Sequence, residues 1–187
     1  MKYLGANTEE AKHLKLQVTR ALIRAGTFLT GYELVKTSII DGVKDFYLTG
    51  FNEEGLTYSL HYETEVLPLG KGVFRASVAW LVNHNALSDE QADQLDAISA
   101  HRHELAHELY RFLIDPDVSI DTSQLSALID ILHSLDIFWG TLEIETSVEF
   151  SPDQVNYQGI RSIWGHLLDY LAELSELSNG ADSKVGQ

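Results

Sequence analysis

The sequence predicts an all-α protein, a bundle of about five or six helices in a single domain. A length of 187 residues fits one domain. Apolar residues recur every three or four positions along several long segments, which is the period of an amphipathic helix. Only 3 prolines and 13 glycines are present, too few for a turn-rich sandwich of strands. We expect one helical domain over residues 1–178 and a disordered tail over 179–187.

Charge and cysteine content exclude several function classes. The net charge of −15 repels nucleic acid over most of the surface, which disfavours a general RNA- or DNA-binding protein. This net charge does not exclude a ribonuclease with a small local basic cleft. The absence of cysteine excludes disulfides, thiolate zinc sites and cysteine nucleophiles. The polar start and the lack of a long uninterrupted apolar run predict a cytoplasmic protein with no signal peptide and no membrane span.

The first third of the chain predicts two helices followed by a long connection. Apolar periodicity places helices at 9–25 and at about 30–47. Gly26 lies between them and Gly31 lies at the start of the second helix, and both indicate an interruption or a kink of the pattern. Residues 50–70 lack helical period, so we expect an irregular connection there with a short extended piece at 57–61.

The remaining elements follow from caps and periodicity. A short buried helix is predicted at 71–85. Ser88 then reads as the N-cap of a long helix to about Ile114, because Gln91 completes a capping box. Another helix begins near 121 or 122, and the alternation in 141–150 fits either its continuation or a strand. Ser151 followed by proline predicts the cap of a last helix, running to about 177.

The long central helix has a charged residue within its apolar stripe. The stripe skips one position, 102, where the sequence has Arg102 instead of a leucine. A guanidinium in such a position is costly unless it is paired or lies at a groove or interface. It therefore either extends to solvent, pairs with an acidic residue of another helix, or serves a site. The apolar members of the stripe are Leu95, Ile98, Leu105, Leu109 and Phe112.

Around this arginine, His103, Glu104 and His107 form H-E-x-x-H, the zinc-hydrolase motif. The two histidines are one helical turn apart and would bind zinc, with Glu104 as general base. A catalytic zinc needs a third protein ligand, and no downstream residue has a recognised spacing for it. This interpretation also leaves Arg102 without a role. A zinc hydrolase is therefore kept as an alternative.

The same stretch contains a second pattern. Arg102-His103-Glu104-Leu105-Ala106-His107 resembles the ribonuclease motif of HEPN domains, small all-helical domains, with His103 in the slot usually held by asparagine. A short apolar segment, a turn and a capped long helix lead to the motif. The resemblance covers about residues 10–136 and is specific only over about 98–113.

The resemblance implies a HEPN-like bundle that dimerises so that two motifs face a shared cleft. It implies metal-independent cleavage of RNA, with no cofactor and no metal, in a toxin or phage-defence setting. Arg102 would hold the scissile phosphate, His107 would be the acid or base, and His103 would orient or assist. Partners would be RNA, a second copy of the chain and a nucleotidyltransferase-type antitoxin. The alternative within the same fold is a non-catalytic helical protein-interaction module.

For the proposed ribonuclease, Arg102 and His107 must reach the same phosphate. On an ideal helix, Arg102 and His107 are about 140° apart around the axis. A second copy of the helix would let groups from opposite chains meet.

Overall fold

The computed structural model describes residues 8–53, 55–115, 118, 120, 121, 123–147 and 155–180. Within them the chain is a helical bundle, which confirms the predicted fold class. A two-stranded antiparallel hairpin, β1 and β2, lies between the first two α-helices. The elements are α1 (Glu9–Phe46), β1 (Leu48–Asn52), β2 (Gly55–Tyr58), α2 (Val73–Asn83), α3 (Asp89–Ile114), α4 (Ser123–Thr146) and α5 (Ile163–Gly180), with short π and 3-10 turns at Tyr62–Val66, Leu67–Leu69 and Tyr157–Gly159.

Helix α1 is one continuous helix of 38 residues that contacts each of the other four α-helices. The predicted interruption between two helices is therefore wrong. Gly26 is exposed, with open space where a Cβ would be, and Gly31 lies under the side chain of Leu168. A glycine costs a helix interior about 1 kcal/mol, which packing against four neighbours outweighs. Gly31 allows Leu168 to pack closely on α1, and neither glycine breaks the helix.

The connection between α1 and α2 is irregular as predicted, but it contains the hairpin. Every residue of β1 is exposed, so the strand has no buried face and no alternating pattern to reveal it in the sequence. The predicted extended piece at 57–61 is only partly correct, because β2 ends at Tyr58 and residues 60 and 61 are already helical.

The starts and ends of α3, α4 and α5 can be compared with the predicted caps. Ser88 and Gln91 form the predicted capping box at the start of α3. Residues 141–146 continue α4, and 148–150 lie outside the described residues. The predicted cap at Ser151 and Pro152 also lies outside them. Residues 155–162 are not α-helical, so the early start of the last helix is wrong there.

Ser162 caps α5 instead. Its Oγ accepts from the Gly165 amide at 3.0 Å, and its own amide donates to Asp136 Oδ2 of α4 at 3.0 Å. The carboxylate of Asp136, which lies on another helix, thus fixes where α5 begins. The helix runs to Gly180, two residues into the predicted tail, and 181–187 are outside the described residues.

Helix α4 forms much of the core. It is the one helix in the described part of the chain that is long and apolar enough, by length and composition, to cross a membrane. Its Leu128, Leu132 and Leu135 are at most 1% exposed inside the bundle. The apolar content of α4 is thus partly explained by packing between α1, α3 and α5.

Candidate functional site

Helix α3 presents the predicted stripe to the core. Leu95, Ile98, Leu105 and Phe112 are buried, and Leu109 is half-buried against the core. The helix departs from helical geometry at Glu108, where φ is −118° and ψ is 25°. The kink therefore falls directly after His107, at the end of the candidate motif.

Arg102 pairs with an acidic residue of another helix. Its Nη2 donates to Glu33 Oε1 of α1 at 2.7 Å. Its guanidinium carbon lies 5.7 Å from the centre of the Tyr32 ring, a cation–π distance. The Tyr32 hydroxyl is 3.2 Å from Ser99 Oγ of α3, which ties the two helices together at this point. The charge on the stripe is thus neutralised from α1.

The Arg102 side chain is nevertheless partly exposed, and not all of its N–H donors are used. It is 37% exposed. Its Nε is buried and has no hydrogen-bond partner among the described residues. Because a guanidinium has five N–H donors, one carboxylate oxygen does not satisfy it. The exposed part of the side chain thus keeps N–H donors that the contact to Glu33 does not use.

His103 and His107 lie side by side on the outward face of α3. Both are exposed, and their ring centroids are 4.4 Å apart. Neither ring has a hydrogen-bond partner in the part of the chain that the structure describes. In contrast, His61 Nδ1 is bound to Glu65 at 2.7 Å and His84 Nδ1 to the Trp80 carbonyl oxygen at 2.8 Å. The ring nitrogens of the pair are free to bind a ligand.

A cation follows this pair along the helix. Arg111 lies four residues after His107 and forms an ion pair with Glu108 at the kink. The hydrogen bond to Glu108 raises the pKa of the Arg111 guanidinium further. A guanidinium thus follows His107 by four residues on α3, paired with a carboxylate.

The third histidine of the motif region has a structural role. His101 packs edge-on against Phe28 and Phe112, with centroid distances of 5.0 and 5.9 Å. Its Nδ1 is 3.9 Å from Glu104 Oε2, and its Nε2 is buried without a partner among the described residues. His101 thus belongs to the core and does not join the exposed pair.

The zinc-hydrolase site is incomplete in the described part of the chain. No group of three or more potential metal ligands is found there. Glu104, the proposed general base, lies beside the half-buried His101. Two zinc ligands are present, but the third protein ligand that a catalytic zinc requires does not join them within those residues.

Sequence reasoning found Arg102, His103 and His107 but not the two α1 residues that hold the arginine. Glu33 and Tyr32 lie about seventy positions away, and nothing in the spacing of α1 distinguishes them from other polar residues. The available signal was the arginine itself, since a charge on an apolar stripe requires an acidic partner. Only packing of α1 on α3 identifies that partner.

An acidic groove lies on the other side of Glu33. It has a volume of about 940 Å³ between α1, α4 and α5, with Trp139 and Trp164 in its wall. Asp41, Asp45 and Glu143 contribute negative charge there. Such a surface repels a polyanion.

Comparison of the chain with protein-family models, characterised proteins and solved structures finds no significant match. The geometry of α1 and α3 is therefore the basis for a functional proposal.

Proposed function

We propose that the protein is a HEPN-type endoribonuclease that acts as a homodimer and cleaves RNA without a metal ion. The observation that carries this proposal is the pair His103 and His107. Both rings are exposed and without hydrogen-bond partners in the described chain, on the helix that also carries Arg102. Imidazole is the side chain best suited to proton transfer near neutral pH.

The outward face of α3 supports pairing of two copies. Ala100, His103, His107, Tyr110 and Ile114 follow one another at spacings of three and four residues. Tyr110 and Ile114 are each 63% exposed. This is the spacing at which two helices pack against each other. A twofold axis on this face would place both histidine pairs in one cleft.

The angle between Arg102 and His107 sets a condition on the proposed site. Arg102 faces α1, whereas His107 faces outward, about 140° away around the helix. Within one chain, both can reach the same phosphate only through the length of the arginine side chain. The same holds for a dimer on the outward face, because the partner's Arg102 is turned toward its own α1; the guanidinium reaches the histidines of the cleft through the length of its side chain, which is 37% exposed.

The chemistry assigns one role to each residue. His107 takes the proton of the ribose 2′-hydroxyl, and the 2′-oxygen attacks phosphorus. The bond to the 5′-oxygen breaks, and that oxygen receives a proton from a histidine in the acid form, assigned to His103 of either chain. Arg102 binds the non-bridging phosphate oxygens and stabilises the charge that develops on them. The products are a 2′,3′-cyclic phosphate and a 5′-hydroxyl.

Glu33 limits affinity in this scheme. It neutralises Arg102 in the protomer, so phosphate must share the guanidinium with a carboxylate. The same contact fixes the arginine on Tyr32 and reduces the entropy lost on binding. The proposal also includes a cytoplasmic setting and control by a nucleotidyltransferase-type antitoxin.

A second candidate is a non-catalytic helical interaction module. It is favoured by the neutralised Arg102 and by the net charge of −15, both of which weaken binding to a polyanion. In that case the Arg102–Glu33 pair only joins α1 to α3. The zinc hydrolase has less support, because its third ligand does not appear among the described residues.

Incubation with labelled RNA in excess EDTA tests the proposal. We expect cleavage to 2′,3′-cyclic phosphate ends by the wild-type protein, and a loss of about 100-fold or more in Arg102→Ala and His107→Ala. His166→Ala, at an exposed position on α5, is the matched control and keeps full activity.

The result that overturns the catalytic proposal is equally direct. Absence of cleavage by a folded dimer, or cleavage unchanged in both variants, would favour the interaction module. Cleavage that requires added zinc would instead favour the hydrolase.

A further inference from the structure

We propose that His103 and His107 form a chelating site for a first-row transition cation such as Zn²⁺. The site is distinct from a hydrolytic zinc centre, because it uses two protein ligands and no general base. The two residues are one turn apart on an α-helix, so their side chains project from the same face. Their ring centroids are 4.4 Å apart, so the two rings lie next to each other, and rotation of the side chains would bring one nitrogen of each to the roughly 2.0–2.1 Å that zinc requires.

The nitrogens are available for binding. Both rings are exposed, and neither has a hydrogen-bond partner in the described chain. Small side chains lie three residues before and after His103, at Ala100 and Ala106, so the rings are not crowded from those positions. Imidazole suits zinc, copper and nickel better than magnesium or calcium, which prefer oxygen ligands.

The tetrahedral preference of zinc leaves two positions for water or for another molecule. This distinguishes the site from the motif that the sequence suggests. Glu104 lies beside the half-buried His101 and does not contact the cation in this scheme. The cation would therefore be a reversible ligand of the surface and not a resident cofactor.

Zinc binding at this site would inhibit the proposed ribonuclease, an inference that rests on that proposed function. A cation that occupies the nitrogens of His103 and His107 removes the base and the acid together. Zinc is then an inhibitor of an enzyme that needs no metal. Chelation of zinc would restore activity.

Direct titration of the purified chain with zinc chloride tests the site, read by calorimetry and by competition with a chromophoric chelator. We expect one cation per chain in the wild type. A chelate binds more tightly than either ring alone because the second ring binds intramolecularly, and the gain is about 100-fold or more. His103→Ala and His107→Ala should each lose it.

Two controls make the titration decisive. His166→Ala removes an imidazole elsewhere and should bind as the wild type does. His107→Ala combined with Tyr110→His keeps the number of imidazoles on α3 but places them seven residues apart, about 10 Å along the helix axis, which is too far to share a cation. This double variant should bind as weakly as the single variants.

The proposal is overturned if the wild type takes up no more zinc than the two alanine variants, or if the rearranged double variant binds as tightly as the wild type. RNA cleavage is measured separately, with and without zinc. Failure of cleavage with intact zinc binding contradicts only the ribonuclease. Cleavage without zinc binding contradicts only the chelate.

Discussion

Arg102 Nη2 and Glu33 Oε1 lie 2.7 Å apart and join the centre of α3 to the middle of α1. The pair explains how a guanidinium is accommodated in an apolar stripe. Half-exposed ion pairs contribute only about 0–1 kcal/mol, because solvent screens them and ordering two side chains is costly. A pair of this kind is a weak reason to keep an arginine for stability alone.

The first prediction separates stability from function at this position. Arg102→Leu supplies the residue that the stripe otherwise contains, so we expect a melting temperature within about 4 °C of the wild type or above it. RNA cleavage should nevertheless be lost. Thermal unfolding and the EDTA cleavage assay measure the two effects. A large loss of stability would show that the arginine is structural, and so would favour the interaction module.

The second prediction concerns His101, which the motif region contains but the proposed site does not use. Its Nε2 is buried without a partner among the described residues, between Phe28 and Phe112. Removing an unsatisfied buried polar group is neutral or stabilising, by up to about 1 kcal/mol. We expect His101→Leu to unfold at equal or higher denaturant concentration and to keep its RNA cleavage and zinc binding.

A third prediction tests the continuity of α1 with two glycines of the same helix. Gly26→Ala should stabilise the protein by about 0.5–1 kcal/mol, because no atom lies within 4 Å of the new Cβ. Gly42→Ala should destabilise it by about 1–3 kcal/mol, because that Cβ would lie 2.8 Å from Trp139 Nε1. Urea unfolding measures both. Equal effects of the two substitutions would contradict the structure.

A fourth prediction is a pH dependence at the start of α4. Hydrogen bonds from Ser123 lower the pKa of Asp121, the largest cause being the Ser123 hydroxyl at 2.6 Å. A carboxylate with a lowered folded pKa stabilises the protein above its ordinary value of about 4, and the contribution is lost as pH falls through the folded value. The stability advantage over Asp121→Asn should be constant above about pH 5 and should shrink below about pH 4.

The control for this prediction removes the hydrogen-bond donor, the Ser123 hydroxyl. In the Ser123→Ala background, the hydroxyl hydrogen bond is absent, so the pH at which Asp121→Asn and its parent converge should rise toward the ordinary carboxylate value. Convergence at the same pH in both backgrounds would contradict the assignment to Ser123.

The sequence by itself determined the helical fold and the inner face of α3. Helical periodicity and capping are local, so Ser88, Gln91 and the stripe from Leu95 to Phe112 were predicted at their correct positions. The anomaly at Arg102 was also local, because a charge within an apolar period is visible without a structure. These features depend on contacts within one or two turns of the chain.

Only the tertiary structure decided the rest, since long-range packing outweighs local preference. Packing of α1 against four helices overrides Gly26 and Gly31, and Asp136 of α4 fixes the start of α5 at Ser162. The fold turns Arg102 toward Glu33 and His101 into the core, and leaves His103 and His107 exposed. Neighbours in the sequence are thereby given different surroundings, because successive residues of a helix point in different directions and meet different partners.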